Sequence, residues 1–193
     1  VYVVFGTATA TGQECLQYLV RQLSASLQVP YVFVTEFVPG QTDRVRTVAG
    51  WCRDHAAAPL EYALQDSPCE QVFSNGLVFI PRQARQTFPR DTYLAELNIE
   101  SYMGVPLLNG AGRPTGHLCV MDVRPFGFDR GQGTVILSAF AERAATELER
   151  LRAEETLRQS EERFRALYEN NPPMSFTLPP DGTILSVNRF GAE

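Results

Sequence analysis

Four cysteines and two histidines are the side chains of this 193-residue chain best suited to covalent or metal chemistry. Cys15, Cys52, Cys69 and Cys119 lie far apart and form no C-x-x-C pair. That spread fits free, mostly buried thiols in a reducing compartment better than a disulfide scaffold or a zinc site. Cys69 has the most reactive setting, because it follows Ser67-Pro68 at the start of an expected short helix, where a thiol can be acidified and can sense redox state. Ser-His-Asp hydrolysis would have to use His55 or His117, and no nucleophile elbow accompanies either. All 17 positive charges are arginine. Without lysine, a P-loop, a pyridoxal Schiff base and a kinase nucleotide-binding lysine are excluded from this stretch.

The elements that must hold these residues can be read from patterning. Thr11 with Glu14 reads as a capping box, and Leu16, Leu19, Val20, Leu23 and Leu27 follow at helical spacing, so 11–28 is an amphipathic helix stopped by Pro30. Residues 31–38 and 44–51, rich in β-branched and aromatic side chains, flank Pro39-Gly40 as an antiparallel hairpin. A short strand is expected at 60–64, a helix capped by Ser67 to about Asn75, a strand at 77–80 and a helix at 91–97. Residues 100–108 and 116–123 form a second hairpin across a turn-rich loop. In its last strand His117, Cys119 and Met121 alternate with Leu118, Val120 and Asp122, so the sheet is covered on both faces. The 11–28 helix and the helix from 129 cover one face. The short helices cover the other.

From Asp129 to Glu169 no proline interrupts a single long helix, capped by Asp129 and stopped by Asn170-Asn171-Pro172-Pro173. Val135, Ile136, Ala139, Phe140 and Ala144 dock its first part. Beyond Ala145 a thin apolar seam runs through Leu148, Leu151, Leu157, Phe164 and Leu167, set among Glu-before-Arg pairs such as Glu154 with Arg158. A seam that narrow is best buried against a second copy of the chain, although Leu157 and Phe164 fall out of phase with Leu148 and Leu151.

With 44% apolar residues the chain can bury one full core, and a formal charge of -5 argues against a general nucleic-acid or anionic-membrane surface. No apolar run is long enough to cross a bilayer. The start, Val-Tyr-Val-Val, lacks a signal-peptide pattern and reads as a piece of a longer, cytoplasmic protein.

Asp66-Ser-Pro-Cys-Glu-Gln-Val-Phe, Phe88-Pro-Arg-Asp, Glu100-Ser-Tyr-Met-Gly-Val-Pro-Leu and Gly116-His-Leu-Cys-Val-Met-Asp, in that order, resemble a GAF domain of a bacterial sensor kinase. The resemblance implies an α+β fold over about 8–145: a central antiparallel sheet, terminal helices on one face and a small-molecule pocket over the other. Phe33, Trp51, Cys69, Tyr93, Met103 and Met121 are the candidates for lining it. Residues 146–170 are then a signalling helix. The segment 157–169, with Phe176 and the turn at Asp181-Gly182, resembles the opening of a PAS domain, truncated over 171–193.

The implied function is a cytoplasmic, non-catalytic input module, homodimeric through the long helix, that passes a ligand or redox signal to PAS and histidine-kinase domains further along. No cofactor is expected. Bilin-binding GAF domains have His after the attachment Cys where Glu70 stands here, and His117 reads as a satisfied strand histidine rather than a haem ligand. No metal site, nucleic-acid partner or membrane contact is expected. Two alternatives stay open: an enzyme similar to free-methionine sulfoxide reductases using Cys52, Cys69 and Cys119, and a pure dimerisation scaffold with a vestigial pocket.

Overall fold

Strand β1 (Tyr31–Phe37) is the centre of the fold, because both neighbouring strands read their register from it. The computed structural model describes residues 12–169, 176–177, 180 and 186–187. Helix α1 (Gln13–Leu27) precedes β1, and β2 (Arg44–Cys52), β3 (His55–Ala56) and β4 (Glu61–Ala63) follow. Next come α2 (Pro68–Asn75), β5 (Val78–Ile80), α3 (Ala84–Thr87) and α4 (Thr92–Glu96). The hairpin β6 (Ser101–Leu108) and β7 (Pro114–Asp122) leads into α5 (Arg130–Glu169). Seven strands form one antiparallel sheet in the order β3-β2-β1-β7-β6-β5, with β4 also paired to β2. The architecture is α+β, as the residues and the resemblance imply.

The sheet's two faces follow from the two-residue period. Val32 opposes Val120 and Val34 opposes Leu118, and these turn toward α1 and α5. Phe33 opposes Cys119 and Tyr31 opposes Met121, and these turn the other way, under α2 and α4. The α1 face buries Leu16, Leu19, Val20, Leu23 and Leu27 at 3.6-residue spacing, each contributing about 1.5–3 kcal/mol. On α5, Ile136, Leu137, Phe140, Ala141, Ala144, Ala145 and Leu148 are buried in the same way.

Several local expectations change in the folded chain. Gly12, not Thr11, is the N-cap of α1, and no side chain caps it. Its N–H instead donates to the buried carboxylate of Glu147, so a residue distant in sequence replaces the expected Glu14 box; Thr11 itself lies outside the described residues. Strand β3 and helix α3 were not expected from patterning, being two and four residues long. Val135 is 73% exposed, because α5 docks through Ile136 and Leu137 and turns the neighbouring position outward. The Asp129 carboxylate does accept from Gln132 N–H at 2.9 Å, as a cap should.

The chain divides into two compact units with the boundary between Glu149 and Arg150. In the first, Leu148 is only 2% exposed, packed within its own chain. It therefore belongs to the domain core and not to a seam for a second copy, because the buried stripe of α5 runs one turn further than the thinning apolar pattern indicates. Leu151 is half-buried.

In the second unit Leu157, Phe164 and Leu167 are 61%, 69% and 67% exposed. Arg158 pairs with both Glu155 and Glu162, and Glu154 pairs with Arg150 instead of Arg158. The same unit contains the two-stranded ladder of β8 (Phe176–Thr177) with β9 (Ser186–Val187), flanking the expected turn region. Within 171–193, the part assigned to a truncated PAS opening, residues other than 176–177, 180 and 186–187 lie outside the described residues. Among the described residues no helix is long and apolar enough to cross a membrane.

Candidate functional site

The face of the sheet away from α1 and α5 is roofed by β4, α2 and α4, and a cavity of about 70 Å³ remains between roof and sheet. Each roof helix starts at its own cap. Ser67 accepts from Glu70 N–H at 3.3 Å with Pro68 in the first turn of α2, and Asp91 Oδ1 accepts from the N–H groups of Tyr93 and Leu94 at 3.0 and 3.1 Å to start α4. These caps set Cys69 and Asp91 at the cavity wall. Phe33, Cys119 and Met121 rise from the sheet, Tyr62 comes from β4, and Tyr93 stands at the rim, 37% exposed.

Behind that wall the polar groups form a closed network. The Tyr102 hydroxyl donates to Cys69 Sγ at 3.4 Å, and the Tyr62 hydroxyl lies 3.6 Å from the same sulfur and 3.4 Å from His117 Nε2. His117, fully buried, places Nδ1 2.6 Å from Thr35 Oγ1 and meets the Phe73 ring edge-on at 5.6 Å. Both imidazole nitrogens are thus engaged by protein groups. Gly104 makes room for this network, since a Cβ there would lie 2.5 Å from the Tyr102 hydroxyl and 2.8 Å from Val72.

The two cavity thiols are shifted in opposite directions. A hydrogen bond from Cys119 holds the Cys69 thiol well below the usual range, aided by His117 and resisted by burial. The same bond, with burial, pushes Cys119 up. Position in the first turn of α2 also favours the Cys69 thiolate. Burial raises Asp91 above the usual carboxylate range.

Of the six residues named as pocket candidates, the fold brings Phe33, Cys69, Tyr93 and Met121 to the cavity. It sends Trp51 and Met103 elsewhere. Trp51 opposes Val32 in the ladder and so turns to the α1 face, where Arg21 lies 5.7 Å over its ring. Met103 opposes Val120, and its sulfur packs where a Cβ on Gly133 of α5 would stand. Both corrections come from strand phase: residues 102 and 121 are paired, so 103 and 121 face opposite ways. Cys52 sits at the end of β2 beside His55, away from the cavity, and burial raises its thiol.

Tyr62, Tyr102 and Asp91 are cavity residues that patterning did not single out. The phase of Cys119 and Met121 would have found Tyr102 once the β6–β7 register was known. Nothing local marks Tyr62. Among the described residues no group of three or more His, Cys, Asp or Glu side chains is placed to hold a metal ion.

An antiparallel sheet with terminal helices on one face and a roofed cavity on the other defines a class of small α+β domains. The chain belongs to the GAF domain family, whose model matches residues 11–148. Among solved structures it is similar to the GAF domain of an Acinetobacter phosphoenolpyruvate-protein phosphotransferase, at 14% identity and a TM-score of 0.60, covering 77% of this chain and 89% of that one. The chromophore-binding domain of an unusual bacteriophytochrome from R. palustris is similar at 11% identity and TM-score 0.59, over 75% of this chain and 58% of that one. A free methionine-R-sulfoxide reductase from Neisseria meningitidis, solved with its substrate, matches at 19% identity and TM-score 0.57, over 74% and 80%. At such identities the likeness is one of fold. No curated protein matches the chain.

Proposed function

We propose that this chain is the sensory input module of a bacterial signal-transduction protein of histidine-kinase type. It binds a small molecule in the roofed cavity, acts as a cytoplasmic homodimer through α5, and passes the state of the cavity to a PAS domain and an output domain further along the polypeptide. The module itself is non-catalytic and carries no haem or bilin. The observation that supports this reading best is the cavity: it is enclosed largely by rings and thiols, and hydrogen bonds tie Tyr62, Tyr102 and Cys69 together in its wall, so a mostly apolar space is kept open. A two-state helix interface is the element such a cavity would bias.

The enzyme alternative draws on the adjacent Cys69 and Cys119 thiols. Cys52, which a three-cysteine relay would need, stands apart from them. Incubation of the chain with free methionine sulfoxide and a dithiol reductant is expected to give no turnover.

Native mass spectrometry and an absorption spectrum of the whole chain, isolated without denaturation, test the sensory reading together with ligand-observed magnetic resonance on a collection of small cations, neutral molecules and anions. A retained mass or a set of binders lost in Tyr93→Leu supports it. No retained mass and no binder of any class would leave only the scaffold.

A further inference from the structure

Two free thiols share one wall of the cavity. Cys119 stands on β7 and Cys69 in the first turn of α2, and both line the space. The Cys119 thiol hydrogen-bonds to the Cys69 sulfur, and the Tyr102 hydroxyl reaches both sulfurs. The packing beneath explains that approach. Cys119 opposes Gly104 across the β6–β7 ladder, and the missing Cβ at Gly104 leaves the room that the Tyr102 hydroxyl and Val72 of α2 occupy. The other two cysteines stand apart: Cys15 is on the buried stripe of α1, across the sheet, and Cys52 is at the end of β2 opposite His55.

Cys69 has the setting of an attacking thiol. The Tyr102 and Tyr62 hydroxyls lie 3.4 and 3.6 Å from its sulfur, and it sits where a helix begins. Hydroxyl donors and the positive end of a helix both favour a thiolate. Cys119 keeps its proton, donates it toward that sulfur, and stands where a resolving thiol must. The size of the cavity limits what can reach the pair. It measures about 70 Å³, whereas a single water needs about 10–15 Å³ and benzene is held by a space of about 150 Å³. A molecule of two oxygen atoms fits, and one carrying a phenyl group does not.

We propose that the cavity admits hydrogen peroxide and that Cys69 and Cys119 are its sensing pair, closing to a disulfide. This rests on the reading of the cavity as the sensory site and names the chemical signal that site takes. The Cys69 thiolate attacks one peroxide oxygen; an S–O bond forms, the O–O bond breaks, and the departing hydroxide takes the Cys119 proton to become water. The Cys119 thiolate then attacks the Cys69 sulfenic sulfur. The S–S bond forms, the S–O bond breaks, and the second hydroxide is protonated by the proton that Cys69 gave up on ionising. Two thiols lose two electrons and two protons, and one peroxide becomes two waters. The disulfide removes the thiolate that the Tyr62 and Tyr102 hydroxyls face, and it ties the start of α2 to β7.

The test is treatment of the whole reduced chain with hydrogen peroxide, followed by alkylation of the remaining thiols, intact-mass measurement and peptide mapping. Loss of two hydrogen masses is expected, with the Cys69 and Cys119 peptides linked and Cys15 and Cys52 alkylated. Cumene hydroperoxide is expected to react at least tenfold more slowly. Cys52→Ser is expected to oxidise like the parent. Cys119→Ser is expected to stop at a Cys69 sulfenic acid that dimedone traps, and Cys69→Ser to leave Cys119 reduced. Mapping of the parent alone decides the point if either of these two variants fails to fold. A linkage through Cys15 or Cys52, oxidation of Cys69 that leaves Cys119 a free thiol in the parent, or equal rates with the two peroxides overturns the assignment. Thiols that stay reduced overturn it too, and they overturn it alone, because a retained mass or a binder would still support the sensory reading.

Discussion

The Tyr102 hydroxyl donates to Cys69 Sγ at 3.4 Å, linking the inner strand β6 to the first turn of α2. It is one of the bonds that favour the Cys69 thiolate. Tyr102→Phe keeps the ring and removes the donor, so stability is expected to fall by about 1 kcal/mol. The Cys69 thiol is expected to titrate at higher pH than in the parent. Thiolate absorbance against pH, read against a Cys69→Ser control, checks this; an unchanged titration would show that the bond is without effect on the sulfur.

The buried phenols make stability pH-dependent on the alkaline side. Burial, with the Cys69 charge adding to it, raises both Tyr62 and Tyr102 well above the usual range. An unfolded tyrosine loses its proton near pH about 10, while the folded one keeps it. The stabilisation is therefore complete below pH about 10 and is lost as pH rises through the folded values. Urea unfolding at a series of pH values is expected to show that decline, and Tyr62→Phe is expected to lessen it. A variant as steep as the parent would place the cause elsewhere.

Gly116 opposes Glu36 across the β1–β7 ladder so closely that a Cβ on it would sit 1.9 Å from the Thr35 carbonyl oxygen. The obstacle is backbone, which cannot step aside. Gly116→Ala is expected to cost about 3 kcal/mol or more, in the class of strained core substitutions. Gly110→Ala, with nothing within 4 Å of its Cβ, is expected to stay within about 0.5 kcal/mol of the parent. Urea midpoints of the pair decide the point.

Helix α5 contains two kinds of leucine. Leu148→Ala should cost about 2–5 kcal/mol, since Leu148 is enclosed within the first unit. Leu157→Glu with Phe164→Glu alters side chains that are mostly exposed in one chain, so the unfolding midpoint should barely move. If α5 is the homodimer seam we propose, that double variant sediments as a monomer at concentrations where the parent is dimeric. A parent that is monomeric throughout would end the seam proposal.

Sequence by itself determined the order and type of most elements. The helix of 13–27, the 31–37 and 44–52 hairpin, the late hairpin and the single helix from 130 to 169 all carry strong periodicity or capping signals, which act over a few residues. It also placed Cys69 at a helix start, because Ser67 and Pro68 announce that start locally. Tertiary structure alone decided which residues share the cavity. Met103 and Met121 look alike along the chain, yet the β6–β7 register turns one to α5 and the other to the cavity. Tyr62 joins Cys69, and Asp91 joins both, only through packing of three separate segments. Leu148 reads as the first step of an exposed seam until the domain closes over it. Local signals set each element's own conformation, whereas strand register and helix docking depend on partners tens of residues away, and those partners fix the face each side chain presents.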